Sequence, residues 1–93
     1  MALEKTFKAL SDENRREILK LLKKESMNAG QIADHFDMSA ATVSYHLSIL
    51  KDAELIFEHK DKNYRIYSLN LSVFEEVLSF LFQFKEGVND EKK

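Results

Sequence analysis

Apolar residues recur at helical spacing over most of this chain and switch to a strand-like pattern once. Leu3, Phe7 and Leu10 fall at i, i+4 and i+7 and predict a short amphipathic opening helix. Ser11 or Asp12 then supplies a cap for a second helix whose apolar side is Ile18, Leu19, Leu21 and Leu22. Asn28 and Gln31 have the spacing of a capping box, and behind them Ile32, Ala33 and Phe36 form the inner face of a third helix. Asp37-Met38-Ser39 follows at once, with Ser39 as an N-cap and Val43, Leu47 and Leu50 repeating behind it. Two helices joined by about three residues have helix-turn-helix spacing. The period then changes. Ile56–Lys60 and Tyr64–Leu69 are rich in β-branched and aromatic residues and flank Asp61-Lys62-Asn63, which predicts a β-hairpin with Asn63 as the better candidate for positive φ. Ser72 with Glu75 opens a last helix, Val73–Lys85. The expected fold is mainly α with a β-hairpin (α+β): a winged helix-turn-helix of five helices and a two-stranded wing. One domain spans 1–86, with its terminal helices free to dimerise, and 87–93 is expected to be a flexible polar tail.

Composition narrows the classes. A chain of 93 residues is one domain with a modest core. It has no cysteine, which removes disulfides and thiolate metal sites and suits a reducing, cytoplasmic setting. No apolar run approaches the roughly 20 residues that span a bilayer, and no signal peptide opens the chain, so membrane insertion is not expected. The net charge of −2 is unusual for a nucleic-acid partner. Its distribution matters more, because phosphates sense the local field. Residues 1–26 carry an excess of basic groups, whereas 27–50 carry only Asp34 and Asp37 as formal charges. Modest non-specific DNA binding with salt sensitivity is the expectation.

The helix from Ser39 to Lys51 carries the most information. With Val43, Leu47 and Leu50 turned inward at roughly 100° per residue, Ala41, Tyr45 and Ser48 point outward. Thr42 and Ser44 flank them, and Ala40 and His46 lie nearer the core boundary. An ordinary solvated helix face carries Lys and Glu. Here the stretch Met38–Leu50 has none of Lys, Arg, Asp or Glu in a chain that is 32% charged. Such a face suits a DNA major groove. Ala40 and Ala41 permit close approach. Ser39 and Thr42, with the first-turn amides, can grip a phosphate, and Ser44 and Tyr45 can reach base edges.

Three segments resemble the ArsR-type repressors: SAATVSYHLSILKDAELI from Ser39 to Ile56, FKALSDENRREIL from Phe7 to Leu19, and YSLN from Tyr67 to Asn70. The resemblance covers about residues 3–84 and is strongest to the short, cysteine-free SdpR-like autorepressors. It implies a homodimeric repressor on a palindromic double-stranded DNA operator. It also implies DNA contacts at Ser39, Ala40, Ala41, Thr42, Ser44 and Tyr45, and it places His46 at a common histidine position of the motif, where a structural role is equally open. The wing departs from the family pattern, because Lys62 stands where glycine is usual. Lys60, Lys62 and Arg65 are candidate contacts to phosphate or minor groove, against the alternative of a solvated tip diluted by Glu58 and Asp61.

The last helix is apolar over an arc of roughly 200°, too wide for one small core. Phe74, Val77, Leu78, Leu81 and Phe82, together with Leu3 and Phe7, are the expected dimer interface; Val73, Phe80 and Phe84 share the arc. A membrane-surface helix is the weaker alternative, because the polar face carries Glu75, Glu76 and Glu86 rather than a basic array.

Metal sensing is not expected. Many ArsR-type sensors use cysteines or acid–histidine sets on the last helix, and the histidines here, His35, His46 and His59, stand far apart. No cofactor motif and no catalytic constellation is present, so an enzyme is not expected. Arg15 lies toward the core side as an ion-pairing or carbonyl-binding residue, and Arg16 is a lesser phosphate candidate. Relief of repression by autoregulation or by a protein partner remains open, as does a winged helix used only for protein contact.

Overall fold

Local capping chemistry determines where each element begins and ends. The computed structural model describes residues 2–85, so the tail 87–93 lies outside the described residues. The chain order is α1 (Leu3–Leu10), α2 (Glu13–Lys24), β1 (Met27–Asn28), α3 (Ala29–Phe36), α4 (Ala40–Asp52), β2 (Ile56–Asp61), β3 (Tyr64–Leu69) and α5 (Leu71–Lys85). Asp12, rather than Ser11, caps α2 by accepting the Arg15 amide at 3.1 Å. Asn28 and Gln31 form the expected capping box of α3, with reciprocal bonds of 2.8 and 2.9 Å. Helix α5 begins at Leu71, ahead of the expected Ser72 start, directly after Asn70 ends the wing.

The sheet has one strand more than the expected hairpin. The two residues of β1 pair antiparallel with β3, Met27 opposite Tyr67 and Asn28 opposite Ile66, giving the order β1-β3-β2. So short a segment carries no alternation that a sequence pattern can reveal. Strands β2 and β3 pair from Ile56–Leu69 to Asp61–Tyr64, and this register leaves a two-residue loop, Lys62-Asn63. Lys62, not Asn63, takes positive φ, at 60°. A two-residue hairpin whose first central residue has positive φ is of the II′ kind, which glycine favours at that position.

Beneath the wing, Ile18, Ile32, Val43, Leu50 and Leu55 are fully buried and join α2, α3 and α4 into one core. The end of α4 is fixed by a Schellman motif. The Leu55 amide donates to the Leu50 carbonyl at 3.0 Å and the Glu54 amide to the Lys51 carbonyl at 2.9 Å. Glu54 sits at φ 63°, where glycine would be unstrained. Asn70 holds it there: its side-chain amide donates to the Glu54 carbonyl at 3.0 Å, and its backbone amide donates to the Leu55 carbonyl. Helix α4, the wing and the start of α5 are thereby tied at one point.

Helix α1 is anchored by a cation rather than by its apolar stripe. Thr6 and Ala9 are its buried residues, and the Thr6 hydroxyl donates to the Ala2 carbonyl. Arg15, itself buried, donates from Nε to the Ala9 carbonyl at 2.8 Å and from a terminal nitrogen to the Lys8 carbonyl at 3.1 Å. Arg16 reaches the Leu10 carbonyl at 2.8 Å. Two arginines of α2 thus donate to three carbonyls in the last turn of α1, where intrahelical N–H donors run out; the Lys8 carbonyl also accepts from the Ser11 amide and hydroxyl.

Candidate nucleic-acid interface

Helices α3 and α4 meet at a tight corner. Asp37 closes α3 in the left-handed conformation, φ 57° and ψ 42°, and the Met38 amide returns to the Ala33 carbonyl. The chain then enters α4 through Ser39, whose hydroxyl oxygen accepts the Thr42 amide at 3.1 Å. The same hydroxyl donates to the Thr42 hydroxyl at 2.9 Å. With the Thr42 amide taken, Ala40 and Ala41 present the first-turn amides that have no intrahelical acceptor. Both residues are exposed and neither carries a side chain that would block an approaching phosphate.

Ser39, Ala40, Ala41, Thr42, Ser44 and Tyr45 are all exposed, on the first two turns of α4. Tyr45 is 62% exposed and is the only aromatic residue of α4 besides His46. His46 is the exception among the expected contacts. It is 5% exposed, and its Nδ1 lies 3.4 Å from a terminal nitrogen of Arg15. An arginine can only donate, so Nδ1 acts as the acceptor. Three residues after Val43, His46 falls on the inner side of the helix. It is a link between α4 and the Arg15 clamp and does not face outward.

At the wing, Lys60 and Lys62 are exposed. Arg65 is exposed too, but its guanidinium is paired with Glu58, whose other carboxylate oxygen accepts from Lys51 of α4. These bonds, from Lys51 first and then Arg65, hold the Glu58 carboxyl below the usual range. Burial raises the phenol of Tyr67, which stands opposite Glu58 in the sheet. The Lys51–Glu58–Arg65 bridge escaped the sequence reading. Its members lie seven residues apart across three elements, and only the strand register shows that Glu58 and Arg65 share a face.

The expected dimer residues divide in two. Val77 is buried and Phe74 half-buried against the domain's own core, so they mainly anchor α5. Leu78, Leu81 and Phe82 remain about half exposed, at 53%, 48% and 47%. Phe7 extends this apolar surface onto α1, its ring 6.1 Å from Phe80, which in turn meets Phe84 edge-on at 5.3 Å. Leu3 is half-buried on the same helix.

The helix-turn-helix and the first part of the wing, residues 12–57, match the model of the bacterial regulatory protein arsR family. The transcriptional repressor SdpR of Bacillus subtilis is 44% identical over 89 residues, which is 95% of this chain and 99% of that protein. The chain belongs to the ArsR family. Its fold agrees with that assignment. An ArsR-like transcriptional regulator from Rhodococcus sp. RHA1 superposes with a TM-score of 0.83 at 26% identity, covering 89% of this chain and 78% of that one. A homodimeric winged helix-turn-helix DNA-binding domain from Mycobacterium bovis superposes with a TM-score of 0.75 at 22% identity, covering 98% and 85%. The winged helix-turn-helix read from the chain is therefore the observed fold, with β1 added. Among the described residues no group of three His, Asp or Glu side chains is arranged to hold a metal ion, and no helix is long and apolar enough to cross a membrane.

Proposed function

We propose that this ArsR-family chain is a sequence-specific transcriptional repressor that binds a palindromic operator as a homodimer. The observation that carries the reading is the exposed, uncharged first half of α4, Ser39 to Tyr45, on a rigid helix-turn-helix. Ala40 and Ala41 allow the backbone to approach, their amides and Ser39 grip a phosphate, and Ser44 and Tyr45 reach base edges in the major groove. Thr42 is oriented by its bond to Ser39. Lys60 and Lys62 add phosphate contacts at the wing tip. The repressor SdpR, similar over nearly its full length, supports the direction of control.

The homodimer rests on α5. Leu78, Leu81, Phe82 and Phe84 with Phe7 form an apolar surface that one copy leaves in water. A second copy covers it with the same residues, and the twofold axis sets two reading helices roughly 34 Å apart, one DNA turn. Control does not pass through a metal, and the chain acts in the cytoplasm on its own promoter, with relief by a protein partner. Selection of genomic fragments by the purified protein tests the reading. The expected result is enrichment of an inverted repeat from the chain's own promoter, with the same affinity with and without divalent metals. A well-folded dimer that enriches no sequence and shows no salt-dependent DNA binding would instead favour a winged helix used for protein contact.

A further inference from the structure

The side of α4 that carries Ser44 and Ser48 continues to Lys51 and forms one wall of a groove of about 480 Å³. Glu58 and Tyr67 of the wing form the other wall, and Glu54 stands at one end. Two features of this groove are unexpected beside a DNA-reading helix. First, Lys51, which lines the groove, and Arg65 of β3 are both paired with one carboxylate, that of Glu58. Second, that carboxylate is sheltered while its partners are not: the Glu58 side chain is 11% exposed, against 55% for Lys51 and 72% for Arg65. The remaining charges on the groove, Asp52 and Glu54, are acidic, and Asp52 is turned toward Lys5 of α1 at 3.3 Å.

A helix lying in the major groove is bounded by two phosphate strands. A wing projecting from one side of that helix straddles one of them. On the DNA-binding reading, that strand runs over the space between α4 and the wing, where Glu58 holds Lys51 and Arg65. We infer that Glu58 withholds Lys51 and Arg65 from the DNA backbone and so keeps sequence-independent affinity low. This inference rests on the DNA-binding reading above. Phosphate contacts position a protein without reading sequence, so every cation released to the backbone strengthens operator and random DNA alike. Limiting that common contribution leaves random DNA held only weakly, so that retention on DNA depends on the base contacts. The chain shows the same restraint in its net charge of −2.

The test is the salt dependence of binding to random-sequence duplex DNA, measured on dimers whose thermal unfolding and mass have been checked. Glu58→Gln keeps the shape and removes the charge that holds both cations. If Lys51 and Arg65 of both protomers each then neutralise one phosphate, at about 0.9 each, the log–log salt slope steepens by up to about 3.6. The variant then loses up to about 10²-fold more affinity than wild type between 50 and 200 mM salt. At low salt its affinity for random DNA rises, and its operator affinity rises by a similar factor. Glu54→Gln removes an equal charge from the same groove without freeing a cation, and its slope stays close to wild type. In the presence of Glu58, the double variant Lys51→Gln, Arg65→Gln changes the slope of the dimer by less than about 1.8. The inference is overturned if Glu58→Gln leaves the slope unchanged or weakens random binding, if Glu54→Gln matches it, or if the double variant flattens the slope by about 3.6. Wild type that binds its operator while Glu58→Gln has no effect sinks the inference alone; wild type with no salt-dependent DNA binding sinks the DNA reading beneath it.

Discussion

Helices α4 and α5 each leave a face in water, and the two faces differ in kind. That of α4 is small, hydroxylated and free of formal charge over its first two turns, with one exposed phenol at Tyr45. That of α5 is hydrocarbon, with Leu78, Leu81, Phe82 and Phe84 exposed together. A hydroxyl-lined face gains little from self-association, because its groups are already satisfied by water. It gains from a partner with a fixed pattern of donors and acceptors. An apolar face gains from any dry surface, and most from a second copy that must bury the same residues. The contrast is the ground for the proposal that one helix reads sequence and the other assembles the dimer.

The separation can be broken at either end. The largest effect is expected from Leu78→Glu combined with Phe82→Glu. Sedimentation should show a monomer, and operator affinity should fall toward the non-specific level, ~10³-fold or more, while circular dichroism shows the domain intact. If the dimer survives, the apolar face has another role. Next comes Arg15→Ala, which acts on the scaffold common to both faces. It leaves the Lys8 and Ala9 carbonyls and His46 without their shared donor. Denaturant unfolding should show a loss of about 3 kcal/mol, whereas a loss within the ordinary range of surface substitutions would mean that α1 is anchored elsewhere.

Smaller effects sharpen the comparison. Asp12→Ala should cost about 1 kcal/mol near neutral pH by removing the cap of α2. The bond from the Arg15 amide holds the Asp12 carboxyl below its usual range. Its stabilisation is therefore complete above the ordinary carboxylate range and is lost as pH falls through the depressed value. The difference between wild type and Asp12→Ala should shrink on the acid side and nowhere else. Lys62→Gly should stabilise the wing by about 1 kcal/mol, since glycine adopts positive φ without strain. If Lys62 touches a phosphate in each protomer, the same variant flattens the salt slope of the dimer by about 1.8. Stabilisation with an unchanged slope would leave Lys62 as a solvated tip.

Features governed by local chemistry were legible in the chain. The Asn28–Gln31 capping box, the Ser39 cap and the Val43, Leu47 and Leu50 stripe each act within one turn or one helix face. The features that escaped depend on contacts between elements. Strand β1 exists because β3 offers an edge at Tyr67 and Ile66. The positive φ falls on Lys62 rather than Asn63 because the register of β2 and β3 sets the twist that the loop must match. Helical geometry already places His46 near the core boundary, but its partner Arg15, 31 residues earlier, is visible only in the fold. Glu58 read as dilution of a basic wing, and only tertiary structure shows it joining the wing to the reading helix.

The central claim is that the first half of α4 reads sequence and does nothing for assembly. The most direct measurement is the ratio of operator to random-DNA affinity for Ser44→Ala and Tyr45→Ala, taken at one salt concentration alongside the dimer mass. The account predicts an intact dimer, random-DNA affinity near wild type, and a ratio lowered about tenfold or more by the loss of a base contact worth about 1–3 kcal/mol. Intact dimers whose ratio equals that of wild type would contradict it.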